Sequence, residues 1–506
     1  MSTANRVIKN TGWLYAKMAI TMFVSLYTTR IILQTLGADD FGIYNIVGGA
    51  ISLLCFVNSS MAGATQRFMS YATGQGHADR LRTIFNVSYV IHIFLASLAV
   101  IIFCVAGFFF FNGILNIPDG RTEAAVAVYV CLIVSTFFTM ISVPYEAVMN
   151  AHENMKYYAV VGIFESLLKL LVACAVVYSP IDKLIYYGAL MSSIPLVVLS
   201  IMRIYCHTHY KECKISFLKY WSKSLAKEMM TFAGWGLTNT TATMFTMQGM
   251  SILLNMFGGV VVNAAHGVAN QLSGQLMVFS NNMLKALSPV LVKSRGAGEN
   301  EKMLEAASTG NKLSFLLFSL FALPFIFETP VILRLWLKTP PEWTVLFVRL
   351  VLIRQMVSQV MVTLDTCIQA TGRIKNFTMV NSIIWISPLV VGYFMYKAQA
   401  PIYTIYILLI VMNFLRMANA LFFCHELCNL NIGTYFMRTI LPCVWQSLML
   451  IGILLTVCYG IEESICRMIL VFCLTILLHP MLAFYICLNS KERSFLSTIK
   501  QKIFCK

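Results

Sequence analysis

The sequence predicts an all-α polytopic membrane protein of about 14 transmembrane helices: two parallel six-helix repeats followed by two C-terminal helices. Composition is the first reason. The 506 residues are 58% hydrophobic and 11% charged, with a mean hydropathy of +0.76, too apolar for a chain whose surface water must solvate. The second is the recurrence of apolar runs of roughly 20 residues, each able to cross a hydrocarbon core about 30 Å thick. A membrane barrel would show short alternating segments instead. The third is a duplication: Gly12-Trp13 and Thr21-Met22-Phe23 return as Gly234-Trp235 and Thr243-Met244-Phe245, and Gly74-x-Gly76 as Gly296-x-Gly298, all about 222 residues on. Between them, Leu36-Gly37 resembles Phe257-Gly258 at a register shifted by one residue.

The spans centre near Phe23, Ser52, Ser97, Ser135, Leu168, Ser193, Phe245, Gln271, Ser319, Val357, Ile386, Leu409, Leu450 and Cys473. The first follows a short basic N-terminus, carries Lys17 and Arg30 and lacks a small-residue cleavage site, so it reads as a span rather than a signal peptide. Residues 1–206 form the N-terminal six-helix bundle, 207–230 a basic connector with Lys211, Lys214, Lys219, Lys223 and Lys227, and 231–436 the C-terminal bundle. The two extra helices occupy 437–488, and a basic tail 489–506. In the ninth span Pro324, Glu328 and Pro330 interrupt the apolar run, which suits either a kinked helix or an interfacial segment over Pro330 to Leu337. An even number of spans separates the repeat starts, so both copies enter the membrane in the same direction.

The net charge of +16 would suggest nucleic acid in a soluble protein. Here its distribution marks the cytoplasmic side instead. With the N-terminus inside, the cytoplasmic loops hold about 25 of the 37 Lys and Arg and the opposite loops about six. Both termini are therefore expected in the cytoplasm, and no nucleic-acid partner is expected. Most of the fifteen cysteines lie within spans, where a thiol behaves as a small apolar group, so no disulfide framework is expected. Cys424, His425 and Cys428 lack the second ligand pair of a zinc site.

Charges inside the spans need an explanation, because each costs about 2.5–3.5 kcal/mol near the bilayer centre on insertion scales. Basic residues there are Lys17, Arg30, Lys169, Arg349, Arg354 and Arg416. Glu165 lies one turn before Lys169 and can pair with it. Asp365 can partner Arg354 or Arg349, or carry a coupling ion. The remaining positive surplus suits an anion such as pyrophosphate, whose oxygens match guanidinium forks. For Arg30, snorkelling to the surface or an ion pair with Asp39 or Asp40 competes with a cavity role; Arg349 has a similar escape, while Lys17, Arg354 and Arg416 sit deeper. Asn263, Asn270 and Asn281 fall on one face of the polar eighth span, where they can line a sugar site or join helices by hydrogen bonds. His92 and His479 read as satisfied core residues. No phosphate-binding glycine loop, zinc motif or nucleophile motif is present, so neither an enzyme nor a cofactor is expected, and proton or sodium coupling stays open.

Leu36-Gly37-x-x-x-Phe41-Gly42-Ile43-Tyr44, Gln66-Arg67-Phe68, Gly74-x-Gly76, Trp235, Pro289 and Ala370-x-Gly372-Arg373, in this order, resemble the O-antigen (Wzx-type) polysaccharide flippases of the multidrug/oligosaccharidyl-lipid/polysaccharide exporter superfamily. The resemblance implies two bundles in a V around a central cationic cavity, with Lys17 and Arg30 as candidate basic residues. It also implies a bacterial inner-membrane protein that moves a lipid-linked oligosaccharide by alternating access. The expected substrate is an undecaprenyl-pyrophosphate-linked unit for O-antigen, capsule or exopolysaccharide. Expected partners are membrane lipids and the pathway's polymerase and glycosyltransferases. A drug exporter of the same superfamily, and a polysaccharide polymerase or ligase, are the competing readings.

Overall fold

The computed structural model describes residues 3–52, 56–111, 120–489 and 492–493, and the regular structure among them is helical. The N-terminal repeat comprises α1 (Thr3–Ser52), α2 (Phe56–Gln75), α3 (Ala78–Phe109), α4 (Thr122–Ala151), α5 (Met155–Val177) and α6 (Lys183–His209). The connector adds a short α7 (Phe217–Tyr220). The second repeat comprises α8 (Lys223–Gly296), α9 (Asn300–Leu337), α10 (Thr344–Gln359), α11 (Val362–Thr371), α12 (Lys375–Lys397) and α13 (Thr404–Cys428), followed by α14 (Ile432–Tyr435), α15 (Leu441–Gly460) and α16 (Ile465–Leu482).

Glycine punctuates the two longest helices at matching places. α1 breaks at Gly37 (φ 80°, ψ 175°) and α8 at Gly259 (φ 77°, ψ −176°). A Cβ closes this backbone region, so each hairpin apex needs glycine. The pairing corrects the shifted register: Gly37 corresponds to Gly259, not Gly258, with the spacing that links Gly12 to Gly234. The same spacing relates the first residues of α3 and α9, Ala78 and Asn300, and of α4 and α10, Thr122 and Thr344. The duplication runs at this spacing as far as α4, matched by the bent pair α10 and α11, and α12 and α13 start within two residues of the places that α5 and α6 set.

Ten described helices, or eleven with that pair, are long and apolar enough to cross a membrane. The described parts of the second expected span and the two arms of α8 are also helical but more polar. Buried polar side chains on them, such as Thr65, Ser70, Thr246, His266 and Ser273, account for the difference. The ninth span resolves into the kinked alternative: α9 continues to Leu337 through a break at Glu328 (φ −99°, ψ 17°).

The chain divides into two compact units, one of residues 1–240 with 292–298 and one of 241–291 with 299–506. In the first, Ile43, Val47, Phe103, Val128, Ile133 and Leu184 form a core from α1, α3, α4 and α6. Tyr129 enters it because Gly107 leaves space for its ring, and its hydroxyl donates to the Phe103 carbonyl at 2.7 Å. The ends of α2 and α8 cross here as well: a Cβ on Gly74 would lie 2.0 Å from the Lys293 carbonyl oxygen, and one on Gly296 2.1 Å from that of Tyr71.

In the second unit Phe347 and Tyr406 stack at 4.3 Å within a core that includes Leu254, Phe318, Leu333 and Leu352. The two C-terminal helices dock on α9 through Leu323, Leu450, Leu454 and Val471. A buried ion pair fixes them at the α9 break, with Arg467 Nε 2.9 Å and Nη2 3.2 Å from the two Glu328 oxygens.

Candidate functional site

The second unit brings Arg354, Asp365 and Arg416 to the bend between α10 and α11. That bend, 43° at Val360–Met361, is built by side chains. Tyr435 donates to the Val360 carbonyl at 2.5 Å, and Asn311 accepts from the Thr363 amide at 2.9 Å while donating to the Tyr435 hydroxyl at 2.6 Å. These three groups are buried and satisfy the backbone that the interrupted helix leaves open.

Arg354 and Ser358 precede the bend, and Asp365 lies in the first turn after it. On α13, Arg416 donates through Nε to Asn381 Oδ1 at 3.0 Å and through Nη1 to Asn413 Oδ1 at 3.3 Å, with its guanidinium 4.4 Å from the centre of the Trp385 ring. Asn413 donates in turn to Ser358 Oγ and to the Arg354 carbonyl at 2.9 and 3.0 Å. The second terminal nitrogen of Arg416 faces Asp365 Oδ2 at 3.9 Å. The partner of Asp365 is therefore Arg416, which corrects the expected pairing with Arg354 or Arg349.

Arg354 is half-buried, and among the described residues its guanidinium makes no hydrogen bond or ion pair, although the Arg416 charge acts on it. It lines a narrow cavity with Thr246, His266, Asn270, Trp385 and Tyr406, with room for about one water molecule. The His266 ring bonds the Tyr406 hydroxyl at 2.7 Å and the Asn270 amide at 2.9 Å, so Asn270 belongs to this wall. Asn263 instead accepts from Ser251 Oγ at 2.7 Å, tying the two arms of α8 together, and Asn281 is exposed.

Arg349 is occupied elsewhere. Its Nε and Nη2 donate to the Ile326 and Phe327 carbonyls at 2.9 and 3.4 Å, satisfying the backbone at the α9 break. Sequence reading missed the Glu328–Arg467 pair and the buried Lys312, which binds the Glu492 carboxylate at 2.9 Å and the Cys487 carbonyl at 3.3 Å. Their signal was an acid or base inside an apolar run, the same one used for Arg354.

In the first unit Lys17 lies against α5. Its ammonium sits 4.3 Å from the centre of the Tyr158 ring, and its stem occupies the space that a Cβ on Gly162 would fill. Glu146 and Glu165 act on the same tyrosine. Lys169 Nζ is 2.6 Å from Glu165 Oε1, one turn away on α5. Arg30 is exposed. Asp40 binds Arg121 rather than Arg30, and the side chain of Asp39 lies outside the described residues. Arg121 also reaches Asp182 at 2.5 Å, so it joins the α1 hairpin to the start of α6. His92 Nδ1 donates to the Ser88 carbonyl at 2.8 Å and its Nε2 has no hydrogen-bond partner among the described residues, while His479 bonds Ser319 at 2.8 Å. At the end of α13, His425 bonds the Leu430 carbonyl at 2.7 Å and Cys428 that of Cys367 at 3.7 Å.

At the spacing of Gly37 and Gly259, which the starts of α4 and α10 keep, Arg354 matches Leu132, so the backbone plan is duplicated at this place and the Arg354 charge is not.

Comparison with known proteins agrees with this architecture. Residues 7–295 match the polysaccharide biosynthesis protein family. Over 307 residues the chain is 20% identical to the uncharacterized membrane protein EpsK of Bacillus subtilis (strain 168), covering 60% of this chain and 59% of that one. It thus spans about 59% of the length of that curated relative. Among solved structures, a MATE protein in the straight conformation has a TM-score of 0.70 at 12% identity, over 83% of this chain and 95% of its own. The outward-facing multidrug resistance MATE family transporter of the MOP superfamily gives 0.69 at 12% over the same shares. A MOP superfamily transporter from Pyrococcus furiosus, in which reverse polarity of the binding pocket suggests a different function, gives 0.68 at 11%, again over 83% and 95%. With its α-helical spans, duplicated bundle and MATE-like fold, the chain belongs to the polysaccharide biosynthesis protein family.

Proposed function

We propose that this protein is a flippase that carries an undecaprenyl-pyrophosphate-linked oligosaccharide unit across the bacterial inner membrane for O-antigen, capsule or exopolysaccharide synthesis. It does so by alternating access, with both termini in the cytoplasm, and works with the pathway's glycosyltransferases and polymerase. The family and the multi-pass transporter fold support the general reading. One observation supports the substrate class: Arg354, a half-buried guanidinium without a hydrogen bond among the described residues, beside a second arginine whose free edge meets only a distant carboxylate. Two cations held together in a membrane unit repel each other and lose hydration. A pyrophosphate offsets both costs, since each guanidinium can fork onto its oxygens in a low dielectric. Asn270, His266 and Tyr406 supply neutral donors and acceptors suited to hydroxyl groups of a sugar.

Replacing Arg354 with alanine is expected to abolish complementation of a flippase-deficient strain while leaving the membrane level of the protein unchanged. Lipid-linked units should then accumulate on the cytoplasmic face, detected by sidedness of lectin or oxidant labelling. Full complementation by Arg354→Ala would refute the site assignment. Units trapped on the outer face in a null strain would instead indicate a polymerase or ligase. The multidrug reading has the fold in its favour, yet organic cations need acidic partners, and Asp365 already faces Arg416. Dye efflux that tracks expression would support it.

A further inference from the structure

Arg416 is held unevenly. Two of its nitrogens are fixed by Asn381 and Asn413, at 3.0 and 3.3 Å, and the ring of Trp385 backs its plane. The third meets Asp365 at 3.9 Å, beyond hydrogen-bond distance and within ion-pair range. Among the described residues Asp365 makes no other hydrogen bond or ion pair. It lies in the first turn of α11.

The neighbours of Asp365 leave Arg416 as its counter-ion. α11 packs on α13 and α9. From α13 come Arg416 and the neutral thiol of Cys424, whose field meets that of Asp365. From α9 the groups that reach α11 are the uncharged Asn311 and the Ala307 carbonyl. Arg354, on α10, is the next charge and feels Arg416.

Resting on the pyrophosphate reading above, we propose that Asp365 and Arg416 form an exchangeable pair that links binding of the substrate's anionic head to uptake of a proton. Pyrophosphate bridges Arg354 and the loose edge of Arg416. Asp365 then loses its counter-ion and faces the incoming negative charge. A proton from water joins its carboxylate, which becomes a neutral carboxylic acid, and hydroxide is left to the buffer. Anion and proton thus bind together rather than in competition, and each strengthens the other by the same factor.

The test uses the purified full-length protein in nanodiscs, with inorganic pyrophosphate as probe. Calorimetric titration in buffers of different ionisation heat reports the protons taken up per anion bound. The wild type is expected to take up more protons than Asp365→Asn, by up to one per pyrophosphate, and its affinity should fall more steeply with rising pH. Asp365→Asn should still bind, and at neutral pH at least as tightly, because Arg416 no longer has a competitor. Asp365→Glu should restore the proton uptake, which a purely structural role for Asp365 would not predict. Equal proton uptake by wild type and Asp365→Asn, with both binding, would overturn the exchangeable pair and leave the pyrophosphate site standing. Absence of pyrophosphate binding in the wild type would overturn that site and the pair with it. Binding that needs sodium without proton uptake would also overturn the pair.

Discussion

Arg349 and Arg354 lie on one helix and have opposite tasks, which their shared residue type does not reveal. Arg349 donates to the carbonyls freed where α9 breaks, whereas the Arg354 guanidinium makes no hydrogen bond among the described residues and is the group proposed above to meet the substrate. Hydropathy detects the cost of a buried charge but not who offsets it, because the partner comes from a distant part of the chain. Asp365 was similarly legible as an intramembrane acid while its partner was not. Arg121 was overlooked because it lies between spans, yet it joins Asp40 to Asp182. Burial works against the Asp182 charge, but the Arg121 guanidinium and the Leu184 and Ile185 amides outweigh it and hold the carboxyl below its ordinary range. A lowered acid contributes stability above the unfolded value, about 3.9, that is lost as pH falls through the folded one. Arg121→Gln should therefore be less stable than wild type at pH 7, and the gap should close below about pH 4. Thermal midpoints across that range, read by fluorescence-detected size exclusion, check it; a gap that widens in acid would contradict the clasp.

At the scale of elements, the sequence announced what depends on local chemistry. The apolar runs located most helices, and the paired glycines located the duplication. The bend at Val360–Met361 was harder, since its backbone is satisfied by Asn311 and Tyr435 from distant segments. The one-residue error at the second apex arose because Gly258 and Gly259 are adjacent and only the backbone angles distinguish them. Gly74 illustrates a constraint that periodicity does not express: its helix meets the backbone of α8, not a side chain that can move aside. Small residues permit such close crossings in membranes. Gly74→Ala should cost about 1–3 kcal/mol through overpacking, seen as a lower melting midpoint. Gly63→Ala, where a Cβ meets nothing, should not.

For the whole molecule, charge distribution supplies an orientation that the helices alone do not. Under the proposed topology the connector faces the cytoplasm and the α5–α6 turn faces outward. In a cysteine-free background, Lys211→Cys should react with a membrane-impermeant maleimide only in inside-out vesicles, and Lys183→Cys only in intact cells or spheroplasts. Both side chains lie at helix ends in the segments this distinguishes. The reverse labelling pattern would invert the topology and place the basic connector outside. General architecture was thus readable from composition and repetition, while the site's wiring required the tertiary contacts among α8, α10, α11, α12 and α13.

The matched glycines also bear on ancestry and on engineering. A symmetric dimer of one half-length chain would have to put the same residue at the positions now held by Arg354 and Leu132, so every mutation toward recognition would appear twice. Covalent fusion removes that constraint. One copy can specialise while its sister keeps the inherited helix plan, and exchanging residues between equivalent positions becomes a way to ask how much of this chain's selectivity is portable.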